Sequence, residues 1–312
     1  MQAAAELSTQ LRPIEASKKR RASSVEDWFA HVFLACALVV VLGTIAVFAY
    51  LLRSGVQGVA NTGIVELITG TVWKPEAGAF GGLALVTGTL ATALGATALG
   101  AAPAILGAVV INELASKRAY VAYRRTMEVA ASVPSVVFGW MALRFLVPAS
   151  DTFAHRIYGQ DAAVSGEGLA VAAVLLSLMI GPTVSLLTLD ALARVPRSLR
   201  EASAALGASP LQTALRMTLP TAWRGVVAAV FFGFARAAGE TMAVQMVIGG
   251  ARKVASNLFQ PTTTISTQIV MDMQNTLPGT TANQVLYSMA LVLLVVSTGV
   301  VLAIRLLGRR AT

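Results

Sequence analysis

The sequence predicts an all-α membrane protein with six transmembrane helices. Three observations predict it. Of the 312 residues, 56% are hydrophobic and 12% charged, where a soluble domain carries about 25% charged residues. Six apolar runs are each long enough to cross roughly 30 Å of hydrocarbon. The basic residues gather in the segments between those runs, as topology signals do.

The chain divides into a polar tail, 1–30, a first span with its loop, 31–82, and a core, 83–308. The tail carries Lys18-Lys-Arg-Arg21 and reads as disordered and cytosolic. The run His31–Leu52 has 22 residues without a charged side chain, His31 being neutral. That is too long for a typical signal-peptide core, and no convincing cleavage site follows, so it reads as an uncleaved span. Residues 53–80, with Trp73-Lys-Pro75 and a Gly-rich exit, make an extracytoplasmic loop.

The second span, about Leu83 to Val110, is rich in Gly, Ala and Thr, which allow close helix approach in a bilayer. Its hydroxyls Thr87, Thr89 and Thr92 could line a cavity, although helix packing is their ordinary role. The third, about Met127 to Ala149, contains Pro134, which should kink it. A polar loop, Ser150 to Gly168, leads to the fourth, Leu169 to Leu189. A helix-turn-helix, 190–223, comes before the fifth, about Val226 to Gly250. A long polar loop, 251–284, precedes the sixth, Val285 to Leu307.

Of the 24 Lys and Arg residues, 17 fall on the side of the two termini and the 113–126 and 190–224 segments. Five fall in the other loops, and Arg144 and Arg236 lie inside spans. The positive-inside rule then puts both termini and the helix-turn-helix in the cytosol.

The net charge of +9 could point to nucleic acid, but no basic amphipathic face supports that; membrane lipid is the surrounding partner. Cys36 is the single cysteine, and His31 and His155 are far apart, so no internal disulfide and no metal-ligand cluster is expected. No Ser-Lys or His-Asp pair lies at membrane depth and no H-E-x-x-H occurs, so no covalent chemistry is assigned to the chain and no catalytic residue is named. There is no G-x-x-x-x-G-K-[ST], hence no cofactor: if ATP drives this protein, another chain binds it. Asp190 borders the fourth span with no partner evident in the sequence.

Two stretches carry chemistry. The first runs from Ser198 to Pro220. Ser198-x-x-Glu201 has capping-box spacing, and Leu199, Ala202 and Leu206 share a helix face. Gly207 suits a left-handed stop, and Ser209-Pro210 a cap with proline at the first helical position. Leu211, Ala214, Leu215 and Thr218 continue a mostly apolar face until Pro220 ends it. Spacing alone leaves open an ordinary structured loop or a docking device.

The second is Arg236 and Glu240. Arg236 lies about ten residues, roughly 15 Å, into the fifth span, near mid-bilayer. An ionisable side chain there costs about 2.5–3.5 kcal/mol on insertion scales. At i and i+4 the two could neutralise each other as a structural pair. Alternatively they form an anion pathway, since a guanidinium offers a planar fork of donors that stays charged when desolvated.

Both stretches resemble a known family. Glu201-Ala-Ser, Gly207 three residues on, then nine residues and Met217-x-Leu-Pro220, is similar to the EAA motif of ABC importer permeases. Ser203 replaces the motif's last alanine and Met217 its isoleucine. Ala235-Arg-Ala-Ala-Gly-Glu-Thr-Met-Ala-Val244 resembles the fifth-span signature of phosphate-specific ABC permeases of the PstC type. Met242-Ala-Val244 favours that subunit over the PstA type, which tends to read Gly-Glu-Thr-Ala-Pro. Val133-Pro-Ser-Val-Val-Phe-Gly139, Leu258-Phe-x-Pro261 with Ile265-Ser266, and the Trp73-x-Pro75 region are similar to further segments of that family. The likeness covers about residues 60–308.

The resemblance implies a type I ABC importer permease fold in the bacterial cytoplasmic membrane, importing inorganic phosphate by alternating access. It implies a PstA-type permease as heterodimer partner, two copies of an ATPase, and an extracytoplasmic phosphate-binding protein. It places Arg236 and Glu240 on the substrate path; the hydroxyls of Thr241 and Ser135 could line that path too, although helix packing is the ordinary role of such groups. It places Glu201, Ala202, Gly207, Leu219 and Pro220 in the element that couples to the ATPase. Another oxyanion, such as sulfate or molybdate, or a small anionic solute is the alternative cargo.

Overall fold

The structure, a computed structural model, describes residues 2–159 and 164–309. Residues 160–163 of the expected fourth-span approach and Arg310 among the C-terminal basic residues lie outside the described residues. The chain falls into two compact units, Met1–Arg53 and Ser54–Thr312.

Helix α1, Gln2–Thr62, makes up the first unit and runs on into the second. The stretch expected to be a disordered tail is therefore helical. Its residues are mostly Ala, Glu, Gln, Leu, Lys and Arg, which are good helix formers. A helix already present in the apolar run extends into them without a new nucleation step.

The second unit opens with the end of α1, where Ser288 Oγ of α13 (Thr281–Arg309) donates to the Gly55 carbonyl at 2.7 Å. Helix α2, Ile64–Thr69, and an antiparallel hairpin follow, β1 Trp73–Lys74 with β2 Ala79–Phe80, Trp73 opposite Phe80. Leu67, Trp73, Phe80, Leu85, Ile265 and Met289 bury one another at the Leu83 end of α3, Leu83–Glu113.

Helix α3 pairs with α7, Leu169–Ala193. A Cβ on Gly100 would sit 2.7 Å from the Ser177 carbonyl oxygen, so only glycine lets these backbones meet. Helix α10, Leu219–Gly239, completes the core, with Ala93, Leu176, Ile180, Phe234 and Ala237 buried together and Leu189, Leu192 and Val226 buried towards the Glu113 end. Thr87, Thr89 and Thr92 donate to the Leu83, Leu85 and Gly88 carbonyls one turn back, so these hydroxyls are satisfied within α3.

The third span is broken rather than kinked. Helix α4, Lys117–Ser132, ends before Pro134, and α5, Ser135–Met141, a π turn, Ala142–Leu146, and α6, Val147–Tyr158, follow. Val133 is extended at φ −63° and ψ 129°, because a residue before proline is pushed out of the helical region. The apolar span is Ser135–Tyr158, not 127–149, and Ser150–Tyr158 is helix where a loop was expected.

After α7 come α8, Arg197–Ala205, and α9, Pro210–Thr213; a π turn, Ala214–Thr218, joins α9 directly to α10. Pro220 does not end the helix-turn-helix but sits in the first turn of α10, where the wider turn accommodates a ring that brings no N–H. The fifth span stops at Gly239 rather than reaching Gly250. Helix α11, Met242–Gln245, follows, and α12, Ile265–Met273, stands in the stretch expected to be loop. Six of the described helical stretches are long and apolar enough to cross a membrane, the last within α13.

Candidate functional site

The break in the fifth span creates the first site. Glu240 is extended, φ −69° and ψ 134°, so Arg236 and Glu240 do not share one helix face. No ion pair joins them among the described residues, which corrects the expected i, i+4 couple. The Arg236 Nη1 instead donates to Thr183 Oγ1 of α7 at 2.5 Å. Thr183 follows Pro182, and the arginine is half-buried between α10 and α7.

The Glu240 carboxylate turns to the next helix, accepting from the Ala243 N–H at 3.4 Å. Its backbone carbonyl accepts from Ser266 Oγ at 2.9 Å. Ser266 belongs to a buried polar cluster at the start of α12. There the Thr264 side chain caps the helix in a box with Thr267, and Thr263 bonds Thr267 and Gln268. Thr89 Oγ1 of α3 accepts from the Ile265 N–H at 2.9 Å, fixing α12 against the core.

Thr241, next to Glu240, reaches only its own turn, the Gly239 carbonyl at 3.4 Å. Ser135 opens α5, and α5 packs on α11 where a Cβ on Gly139 would come within 3.0 Å of Ala243 Cα. The break thus brings Arg236, Glu240 and Thr241 to one helix junction. Ser135 stands on the helix packed against it, with no hydrogen bond to the other three among the described residues. Thr183 carried no signal of its own in the sequence, and Ser266 stood out only in a family-like segment, without a role. Gly181-Pro182 in the fourth run marked the neighbourhood of Thr183.

The second site is the α8–α9 turn. Ser198 is not an N-cap: Pro196 precedes the helix at ψ 138° and α8 starts at once with Arg197, leaving Ser198 inside the first turn. The expected Ser198–Glu201 box is therefore absent, and Glu201 is exposed with no hydrogen bond or ion pair among the described residues. Gly207 takes φ +79°, the left-handed stop its position suggested. Ser209 and Gln212 form the capping box here, with Pro210 at the start of α9. Ser203, where the motif has alanine, bonds Thr213 hydroxyl to hydroxyl at 2.9 Å across the turn.

Ala202 and Pro220 are exposed, Leu219 is half-buried, and Leu206 is 90% exposed at the tip. With Leu199, Leu211 and Leu215 also exposed, the turn presents an apolar surface that none of the described residues covers. At the same end, Asp190 has a partner the sequence did not disclose, accepting from Arg124 Nη1 at 3.0 Å.

The family model for binding-protein-dependent transport system inner membrane components matches residues 84–312. The probable ABC transporter permease protein YqgH of Bacillus subtilis is 34% identical over 283 residues, 89% of each chain. The phosphate transport system permease protein PstC 1 of Mycobacterium tuberculosis is 33% identical over 271 residues, 81% of this chain and 79% of that one. A chain of the inward-facing MetNI methionine ABC transporter superposes with a TM-score of 0.53 at 20% identity, covering 77% of this chain and all (100%) of that chain. That likeness shows the fold, that of type I ABC importer permeases. With six apolar helices and this family match, the protein is a multi-pass inner membrane protein. The chain belongs to the family of binding-protein-dependent transport system inner membrane components.

Proposed function

We propose that this chain is the permease subunit of an ATP-driven importer of inorganic phosphate. The observation that carries the reading is an arginine held at a break in a transmembrane helix, in a chain 33% identical to a phosphate transport system permease. An Arg fork in a low-dielectric site matches the geometry of phosphate and keeps its charge there. Arg236 contacts the passing anion. Glu240, Thr241 and Ser135 line the path beside it, Glu240 shaping the junction through the start of α11.

The termini and the α8–α9 turn face the cytosol, following the distribution of Lys and Arg. Residues 1–30 form the cytosolic segment, 31–82 the first span and outer loop, and 83–308 the permease core. Two copies of an ATPase bind ATP, so this chain needs no cofactor. They dock on Glu201, Ala202 and the exposed apolar tip around Gly207, with Leu219 and Pro220 leading the motion into α10. A related permease of the PstA type pairs with this one, and an extracytoplasmic binding protein delivers phosphate to the outer loops.

Reconstitution of the whole complex in vesicles, with labelled phosphate outside and excess sulfate or molybdate as competitors, tests the cargo. Uptake that persists against both supports phosphate. Uptake abolished by either would give the path to that oxyanion.

A further inference from the structure

Helix α8 buries none of its own side chains, yet it must pass on any motion its partner imposes. Arg200 ties it directly to α3 and α7. Arg200 Nη2 lies 3.1 Å from Glu113 Oε1, at the last residue of α3, and also donates to the Leu192 carbonyl of α7 at 2.9 Å. The Glu113 side chain is 8% exposed and that of Arg200 25%. Asn112 Nδ2 donates to the same Glu113 oxygen at 2.7 Å, holding the carboxylate in place. The ends of α3 and α7, the most intimately packed pair in the fold, are thus gripped by one guanidinium. The Arg124–Asp190 pair at this end of the protein is far more exposed, 37% and 44%, and links α4 to α7 without touching α8. Arg200 Nε is buried with no hydrogen-bond partner among the described residues, so Nη2 makes the contacts that hold the guanidinium.

We propose that Arg200 is a positioning residue, a strut that carries displacement of α8 into α3 and α7 together. This rests on the reading of the chain as an ATP-driven importer. A push on Leu199 and Leu206 moves α8. The Arg200–Glu113 ion pair, with its carboxylate buried, resists separation and so moves the Glu113 end of the core with it. Without the strut, α8 follows the ATPase while the core lags behind.

The test measures phosphate taken up per ATP hydrolysed by the whole complex in vesicles with its binding protein. In Arg200→Gln, hydrolysis should persist while the ratio falls about tenfold, within the range of coupling between distant sites. Glu113→Gln should lower the ratio in the same direction, and Arg200→Glu combined with Glu113→Arg should recover part of it. A merely structural role would lower assembly and hydrolysis together and leave the ratio unchanged. A parental ratio in Arg200→Gln would overturn the strut. If that variant fails to assemble, the ratio in Glu113→Gln decides in the same way. Uptake by the parent complex without ATP would overturn the importer reading and the strut with it, whereas a parental ratio in the variants overturns the strut alone.

Discussion

Arg236 is bonded to Thr183 on the neighbouring helix, not to Glu240 four residues along its own chain. The helix ends between them at Gly239. That one break separates the charge that attracts an anion from the charge that would repel it.

On the proposed function, Thr183 acts on transport through its bond to Arg236. Thr183→Val keeps the shape and removes the acceptor. Phosphate uptake should fall about tenfold, as expected for losing a hydrogen bond to a charged group worth about 1.5–3 kcal/mol. Thr183→Ser should keep most of the activity. Full uptake by the valine variant would leave the bond without a role in transport.

Arg236 and Glu240 should behave as independent residues. In a double-mutant cycle of Arg236→Gln and Glu240→Gln, read by thermal unfolding of the purified protein, the interaction energy should stay below about 0.5 kcal/mol. A coupling of about 1 kcal/mol or more would restore the ion pair.

The α8–α9 turn depends on Gly207 and Ser203. Gly207→Ala places a Cβ in left-handed backbone at a cost of about 1–2 kcal/mol. Ser203→Ala removes the hydroxyl bond to Thr213, worth about 1 kcal/mol. Both should speed amide hydrogen exchange in 197–213 and leave α3 and α7 unchanged. Exchange that stays at the parental rate in both would show that the turn is held by other contacts.

Two ion pairs should differ in their worth. Asp272 is 7% exposed and accepts from Arg252 at 2.6 Å, Trp73 Nε1 at 2.8 Å and Gln268 Nε2 at 2.7 Å. Asp272→Ala strands these donors and should destabilise by about 3–5 kcal/mol. Asp190→Ala breaks a pair that is 44% exposed on the carboxylate side and should cost about 1 kcal/mol or less. Thermal unfolding of the two variants side by side checks the order, and equal losses would contradict it.

What was legible in the sequence was whatever depends on local composition. Apolar length marks the spans, and Gly207 and Ser209-Pro210 mark a turn whose geometry is set within a few residues. The breaks were harder to see. Pro134 announced a disturbance, but whether the chain bends or stops depends on the packing of α5 against α11. Gly239 is one of several glycines in 226–250 and does not alone mark the end, and the Ser266 hydroxyl that donates to the Glu240 carbonyl comes from distant α12. Ser198 fits a capping box by spacing but loses the position to a helix that starts straight after Pro196. Arg124 lies 66 residues from Asp190, Glu113 lies 87 from Arg200, and Trp73, one of three partners, lies 199 from Asp272, and no periodicity brings such residues together.

The most direct test of the account is ATP-dependent phosphate uptake by the reconstituted complex, intact and with Arg236→Gln, after equal assembly is verified. Rapid uptake is expected of the intact complex and a loss of at least about tenfold in the variant, since a neutral amide cannot replace the guanidinium fork. Undiminished uptake by Arg236→Gln would contradict it, and would leave Arg236 as a tie between α10 and α7.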